Sequence, residues 1–187
     1  MDIFTAIRNR KTVRKLNNNI VRRETIEEII ETARFAPSAH NIQPWRFIII
    51  DENLNKIWEI IDEGTKDAGL KNAWKKVRNS NLLLAVCSKT PKDTKDQIEV
   101  EMYLESMGAV IQNILLLSYG KGLGTCWLGG TIKRIEQDLK NYLKIPTDLR
   151  LITLISFGYY DQDKITGKPK KTLEEILFYN YYNNKSI

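Results

Sequence analysis

The sequence has one histidine, His40, and only two cysteines, Cys87 and Cys126. Transition metals in proteins are usually bound by histidine nitrogen and thiolate sulfur, so a metal site here would have to rest on carboxylates. The cysteines lie in apolar surroundings without ligand spacing, and they are too few for a framework of several disulfides. The sequence therefore predicts no metal centre and two buried thiols in a reducing compartment.

Several motifs of nucleotide-binding proteins and hydrolases are also missing. The sequence has no Walker glycine pattern, no dinucleotide fingerprint and no nucleophile elbow. The glycine-rich stretch GKGLGTCWLGG, residues 120–130, lies between a predicted helix and a predicted strand, which is the wrong order for a phosphate loop. Because candidate acids, bases and nucleophiles are few, the sequence favours a reaction in which a bound cofactor supplies the reactivity.

Long hydrophobic runs are absent as well. The longest apolar stretch, residues 109–117, is interrupted by Gln112 and Asn113. It falls well short of the roughly 20 residues that a membrane-spanning helix needs. The first residues of the chain are basic, with Arg8, Arg10 and Lys11, and contain no apolar signal core. We therefore expect a cytoplasmic protein without a membrane partner.

The overall composition is that of an ordinary globular protein. The 187 residues are 42% apolar and 9% aromatic, which favours one domain over residues 1–187. The net charge of +6 would suit nucleic acid, but the basic residues form short separate groups without interleaved aromatics. Solvated faces explain these groups more simply. A basic nucleic-acid-binding module without catalysis is the alternative from a different class.

Hydrophobic periodicity predicts about five helices and four strands. Caps are expected at Asp2, at Thr25 with Glu28 in capping-box spacing, at Asn53 and at Thr131. The longest helix is predicted over residues 98–119. Strands are predicted at residues 46–51, 82–87, 125–128 and 150–159. Two leading helices blur strict β-α-β alternation, so the pattern favours an α+β fold over a doubly wound sheet.

Two features extend beyond what a single core requires. The predicted long helix is apolar nearly all round between Met107 and Leu117, so it is either the centre of a large core or a subunit interface. The tail from Thr172 onward ends in FYNYYNN, whose aromatic side chains have no further core-sized partner in the chain.

Three polar segments are candidates for ligand binding. In RKTVR, Arg10, Thr12 and Arg14 would share a face of an extended segment and offer donors to a phosphate. In APSAHNIQPWRF, residues 36–47, Asn41 and the backbone of residues 38–40 would meet the edge of a planar heterocycle. In KPKK, residues 168–171, the cations would close on the same phosphate. On composition alone, a proline-stopped helix before a buried strand explains the second segment more simply.

The segments RNRKTVRKL, ARFAPSAHNIQPWRFIII, QNILLLSYGKGLGTCWLGG and KPKKTLEEIL resemble the signature segments of the FMN-dependent nitroreductase family in order and spacing. The resemblance extends from Met1 to about Leu177. It implies a nitroreductase-like α+β fold with a mixed, mainly antiparallel sheet flanked by helices. It also implies a homodimer with flavins at the subunit boundary, in which the tail at about 172–187 wraps the partner.

The resemblance assigns residues to FMN by position. Arg10 would meet the phosphate and Arg14 the N1/C2 carbonyl end of the isoalloxazine. Thr12 stands where the family usually has serine, and Lys170 where it often has arginine. A backbone N–H in the segment 128–130 would serve flavin N5, and the loop 37–41 would come from the other subunit. The cofactor-binding set is Arg10, Lys11, Thr12, Arg14, Pro37, Ser38, Ala39, His40, Asn41, Asn72, Leu128, Gly129, Gly130, Lys168 and Lys170.

The implied activity is that of an oxidoreductase that uses NAD(P)H in a ping-pong cycle on nitroaromatics, quinones or related acceptors. Flavin N5 carries the chemistry, so no side chain is assigned as the catalyst. Arg14 would give electrostatic support, and His40 would either donate a proton or only shape the pocket. The alternatives are a specialised flavin enzyme of the same fold (a dehalogenase, an enoate reductase or a flavin-cleaving enzyme) and a flavin-holding protein without turnover.

Overall fold

The computed structural model describes residues 1–66, 74–91, 93–161 and 167–185. Within these ranges the helices are α1 (Ile3–Asn9), α2 (Arg23–Ala33), α3 (Leu54–Gly64), α4 (Gln97–Gly120), α5 (Gly129–Ile132), α6 (Glu136–Leu143) and α7 (Leu173–Ile176). The strands are β1 (Trp45–Ile50), β2 (Leu82–Lys89), β3 (Gly124–Trp127) and β4 (Leu149–Gly158). Short 3-10 helices lie at Ala39–Asn41 and Lys75–Val77.

The four strands form one sheet in the order β1-β2-β4-β3, and every pair of neighbours is antiparallel. A single parallel bridge joins Thr12 to Thr125 at the outer edge of β3. The sheet is therefore mixed and mainly antiparallel, as the resemblance implies. The predicted strands agree with the observed ones to within one or two residues, because each is a short run of buried β-branched and apolar residues.

Helices cover both faces of the sheet and create two apolar clusters. Leu84 of β2 faces a cluster that contains Ile29 of α2 and Ile111 of α4. The next residue, Ala85, faces the other cluster, together with Ile61 of α3. Neighbouring residues of a strand point to opposite faces, so a strand buried on both faces reads as the continuous apolar run LLLAVC. The molecule is thus a three-layer α+β domain.

Helix α2 starts earlier than its sequence pattern indicates. Arg22 occupies the N-cap position, with φ −84° and ψ 149°, and makes no side-chain cap hydrogen bond. Thr25 lies inside the first turn, so the prediction that Thr25 caps this helix was wrong. The backbone N–H of Val21 donates to Asn81 Oδ1 at 3.3 Å. This tertiary contact fixes where the chain enters the helix, and local spacing does not reveal it.

The helix predicted to start at Thr131 is two helices. Thr131 lies within α5, and the chain then breaks at Ile135, whose φ of −123° and ψ of 21° are not helical, before α6 begins. A Cβ on Gly64 would overlap Ile135 Cγ2, so α3 meets this break at very close range. Asn53 does precede α3, but its backbone is left-handed and its side chain makes no cap hydrogen bond.

One side of α4 is buried and the other side is open in the single chain. Met107, Ile111 and Ile114 are fully buried against the sheet, whereas Gln112 is exposed. A Cβ on Gly108 would have no heavy atom within 4 Å. Among the described residues, α4 alone is long and apolar enough to cross a membrane by length and composition. The sequence left two alternatives for α4, the centre of a large core or a subunit interface. Because one side of α4 is open, the interface alternative fits better.

Candidate functional site

The segment that follows α1 runs along the free edge of β3. The backbone N–H of Val13 donates to the carbonyl of Thr125 at 2.8 Å. Val13 is buried, while its neighbours Thr12 and Arg14 are exposed, so these two side chains point away from the core. A Cβ on Gly124 would lie 2.8 Å from Val13 Cβ. Glycine at this position therefore allows the segment to pack directly on β3.

The charge of Arg14 reaches the last residues of β3. Burial raises the pKa of the Cys126 thiol, and the positive charge of Arg14 partly opposes that shift. Cys126 consequently stays protonated and uncharged at neutral pH. The guanidinium of Arg14 is thus a positive charge beside β3, and the side chain of Arg14 is exposed.

The basic segment near the C-terminus lies next to the N-terminal one. A Cβ on Gly167 would lie 3.6 Å from Cε of Lys11. Lys168 is the next residue after Gly167, Lys170 lies two residues further on, and both are exposed. The two basic segments therefore meet at the same edge of the sheet, and together they contain guanidinium and ammonium donors. Such a donor set, with a hydroxyl from Thr12, suits a phosphate.

Beyond β3 the chain forms a flat surface at Gly129 and Gly130, which carry no side chain. The N–H of Leu128 donates to the carbonyl of Leu154 at 3.0 Å, and α5 begins at Gly129. A Cβ on Gly129 would lie 3.1 Å from Trp127 Nε1, whereas a Cβ on Gly130 would meet no heavy atom within 4 Å. The surface over Gly130 is open, and a planar ring can approach the backbone there because no side chain stands in the way.

This flat surface borders a groove of about 420 Å³ between the first half of α4 and the sheet, a volume typical of small-molecule sites. The wall from α4 is apolar, and the other side carries two cationic side chains, one from the residue that follows α5 and one from β4. The lining residues include Leu104, Met107, Gly108, Ile111, Trp127, Gly129, Gly130, Lys133 and Arg150.

The loop between α2 and β1 has an unusual backbone. His40, Asn41 and Gln43 have φ values of 48°, 54° and 44°, in the left-handed region that non-glycine residues rarely adopt. The N–H of Gln43 donates to Ser38 Oγ at 3.1 Å, and Gln43 Nε2 donates to Asn41 Oδ1 at 3.1 Å. The loop therefore holds its own shape, and the side chains of His40 and Asn41 remain exposed.

The loop and the groove lie on opposite sides of α4. The groove side of α4 presents Leu104, Met107, Gly108 and Ile111. The loop, with Pro37, Ser38 and Ala39, shares a small pocket with Met102, Glu105, Ser106 and Ala109. At about 100° per residue, these two sets of α4 residues are centred roughly 150° apart around the helix. A single copy of the chain does not bring the loop to the flat surface beside Gly130.

The structure thus groups the candidate residues in two places. Arg10, Lys11, Thr12, Arg14, Leu128, Gly129, Gly130, Lys168 and Lys170 lie along β3 and its continuation. Pro37, Ser38, Ala39, His40 and Asn41 lie beyond α4. Asn72 lies outside the residues that the structure describes. Sequence reasoning missed Trp127, which lines the groove, although an aromatic residue two positions before a Gly-Gly pair is a usable signal. It also missed Ser106, a lone serine with no signal.

A cationic edge beside a flat glycine surface suits a phosphorylated, planar ligand. The family model described as Nitroreductase family matches residues 7–159, and the chain belongs to the nitroreductase family. Membership of this family makes the chain an oxidoreductase and confirms the predicted family and enzyme class.

Individual relatives agree with this assignment. A protein of Archaeoglobus fulgidus, provisionally named NADH dehydrogenase/NAD(P)H nitroreductase, is 31% identical over 167 residues, which cover 87% of this chain and 88% of that protein. The iodotyrosine deiodinase of Nematostella vectensis is 27% identical over 94% of this chain and 74% of that protein. A provisionally named nitroreductase of Desulfovibrio desulfuricans was solved in complex with FMN. The two structures match with a TM-score of 0.77 at 24% identity, over 97% of this chain and 98% of that one. This last likeness confirms the fold.

Proposed function

We propose that this protein is a cytoplasmic, FMN-dependent oxidoreductase that uses NAD(P)H in a ping-pong cycle to reduce nitroaromatics, quinones or related acceptors. The observation that carries the proposal is the meeting of the two basic segments, in which Lys11 packs beside Gly167 at the edge of β3. Cations from two distant segments that meet on one exposed edge support a site for a phosphorylated ligand.

The donor set fits FMN. Arg10, Lys168 and Lys170 would hold the phosphate, because a dianionic group needs several cations and the fixed fork of a guanidinium pairs well with its oxygens. The Thr12 hydroxyl is the neutral donor among these charges. The relative from Desulfovibrio desulfuricans was solved with FMN, which supports the same ligand here.

The ring of FMN would lie over Leu128, Gly129 and Gly130, with Arg14 at its pyrimidine end. Bound FMN would supply the hydride chemistry that the side chains of this protein lack. The positive charge of Arg14 favours the more negatively charged state of a ligand beside it, most strongly where water is excluded. No heavy atom lies within 4 Å of the Cβ position of Gly130, so a ring could approach the backbone there.

A homodimer would complete the site. The loop 37–41 lies on the far side of α4 from the flat surface, so only the loop of a second copy can reach a ring bound there. The open side of α4 and the exposed aromatic tail supply apolar surface for such a partner, since Tyr181 and Tyr182 are 71% and 78% exposed. We infer that the tail at about 172–187 wraps the neighbouring subunit.

The test is a direct assay of the purified protein. The expected result is a yellow protein that releases FMN on denaturation, is bleached by NADH or NADPH without oxygen, and regains its colour when an acceptor is added. Comparing the two nicotinamide cofactors and a panel of acceptors would then define specificity. A colourless protein that fails to retain added FMN would refute the proposal.

Reductive dehalogenation is the second candidate. It is favoured by the iodotyrosine deiodinase relative, which matches 94% of this chain at 27% identity. The discriminating measurement is iodide release from iodotyrosine by the reduced enzyme, compared with reduction of a nitroaromatic and a quinone under the same conditions. Iodide release that is faster than either reduction would favour the dehalogenase.

A further inference from the structure

Ser106 is a buried serine near the middle of α4. The residue is 4% exposed. The Ser106 hydroxyl donates to the carbonyl of Met102 at 2.7 Å, one turn earlier in α4. It also accepts the backbone N–H of Ala39 at 3.2 Å, from the loop between α2 and β1. One hydroxyl therefore links the long helix to the loop.

The two bonds of this hydroxyl depend on each other. A serine hydroxyl has one proton and two lone pairs, and the carbonyl of Met102 takes the proton. The oxygen then faces Ala39 only as an acceptor, in a direction that the helix backbone fixes. Donation to Met102 also polarises the oxygen and strengthens its bond to the next donor. Alanine at this position would leave the N–H of Ala39 without this acceptor.

The loop needs such an anchor because its backbone is strained. His40, Asn41 and Gln43 all adopt positive φ without being glycine. Conformations of this kind persist only where surrounding contacts hold them. The bonds from Gln43 to Ser38 and Asn41 act within the loop. The bond from Ala39 to Ser106 ties the start of the loop to a rigid helix.

We propose that Ser106 is a positioning residue that fixes residues 38–41 against α4 and so sets how this loop meets the FMN held by a second copy of the chain. The second half of this statement rests on the proposed function, and the first half does not. Ser106 lies on the far side of α4 from the groove of its own chain, so it acts across the subunit boundary.

The anchor is tested by hydrogen–deuterium exchange of the full-length protein. Ser106→Ala should speed exchange in the peptide that covers residues 38–43 by about tenfold, the size expected for one lost hydrogen bond. Ser118→Ala is the matched control, because the Ser118 hydroxyl is also buried and donates to Ile114 at 2.6 Å in the same helix, far from the loop. Equal exchange of the loop in both variants would overturn the anchor.

The consequence for the cofactor is tested with a double-mutant cycle. Ala39→Pro removes the donor without altering α4, and Ser38 already has the extended backbone, φ −141° and ψ 150°, that a following proline requires. Each single variant should raise the dissociation constant of FMN about tenfold, and the double variant should be no worse than either. Ser106→Thr, which keeps the hydroxyl, should restore tight binding.

The outcomes distinguish a failure of the proposed function from a failure of the role of Ser106. A wild-type protein that binds no FMN would refute the proposed function, and the exchange measurement would still decide whether Ser106 anchors the loop. Wild-type FMN binding with unchanged affinity in Ser106→Ala, or strictly additive effects in the cycle, would refute the role of Ser106 in cofactor binding. If Ser106→Ala does not fold, Ala39→Pro and Ser106→Thr still test the same bond from its two sides.

Discussion

Arg14 stands one residue from the buried Val13, and its charge is felt by Cys126 of β3. In the proposed site this charge stabilises the reduced, more negatively charged cofactor. Arg14→Ala should therefore lower the midpoint potential of bound FMN by about 30 mV, equivalent to about 1.4 kcal/mol for two electrons. It should also weaken FMN binding. Anaerobic redox titration against reference dyes measures the shift.

Lys15→Ala is the control for Arg14→Ala, because Lys15 is the next residue, is exposed and carries the same charge. A general loss of positive charge would shift the potential equally in both variants. A shift confined to Arg14→Ala supports a specific place for its guanidinium beside the ring, and an unchanged potential would remove that role.

Cys87 couples stability to alkaline pH. Burial within the sheet raises the pKa of its thiol from 9.0 to about 11. Because the folded pKa exceeds the unfolded pKa, the folded chain holds this proton more tightly. The stabilisation is complete below pH 9 and is lost as the pH rises towards about 11. The loss should amount to at most about 3 kcal/mol.

The measurement for Cys87 is urea unfolding from about pH 8 to about pH 11 for the wild type and for Cys87→Ala. The variant starts less stable because it leaves a cavity. The informative quantity is the slope against pH, which should be flatter in the variant. Parallel curves would show that other groups dominate the alkaline loss.

Among the elements, α2 offers a direct test of where a helix starts. Arg22 holds the N-cap position without a side-chain cap bond, so Arg22→Ser should add one and raise the free energy of unfolding by about 0.5–2 kcal/mol. Thr25→Ala should change it little, because Thr25 lies within the first turn. Chemical denaturation of both variants measures this. A large loss from Thr25→Ala would favour the start predicted from sequence.

The strands and the long helix could be predicted because burial alone identifies them. The predicted span 98–119 differs from α4 by one residue at each end. The split between α5 and α6 could not be predicted, since Ile132 and Ile135 keep a helical spacing across it. The break reflects the close approach of Gly64, which is a contact between distant parts of the sequence.

The candidate site could likewise be predicted only in part. Resemblance identified the segments that we propose to bind FMN, because their residue types are distinctive. Residue types do not reveal that Lys11 lies beside Gly167 or that the loop 37–41 stands on the far side of α4. Ser106 could not be found at all, because its role depends on a bond to the backbone of Ala39.

At the scale of the whole molecule, the open side of α4 is where a second copy is expected. Gln112 is exposed there, so Gln112→Arg should leave the folded monomer intact. In a dimer the new charges would meet across the interface and raise the dissociation constant of the dimer about tenfold or more. Sedimentation at several concentrations measures dissociation, and absorbance follows the loss of FMN in parallel.

Gln137→Arg is the matched control, since Gln137 is exposed on α6 on the other face of the sheet. It should leave assembly unchanged. Wild-type protein that sediments as a monomer and still holds FMN would contradict a site shared between two subunits. Dissociation without loss of FMN in Gln112→Arg would place the whole cofactor site within one chain.

The contact between Lys11 and Gly167 has a consequence for biosynthesis. A polypeptide still growing on the ribosome displays Arg10 and Lys11 early, but it lacks Lys168 and Lys170 until all four strands of the sheet have been made. Two of the three cations proposed for the phosphate are then missing, so capture of the proposed cofactor would be a late event in maturation. On this proposal, the growing chain must complete its sheet before it can retain FMN.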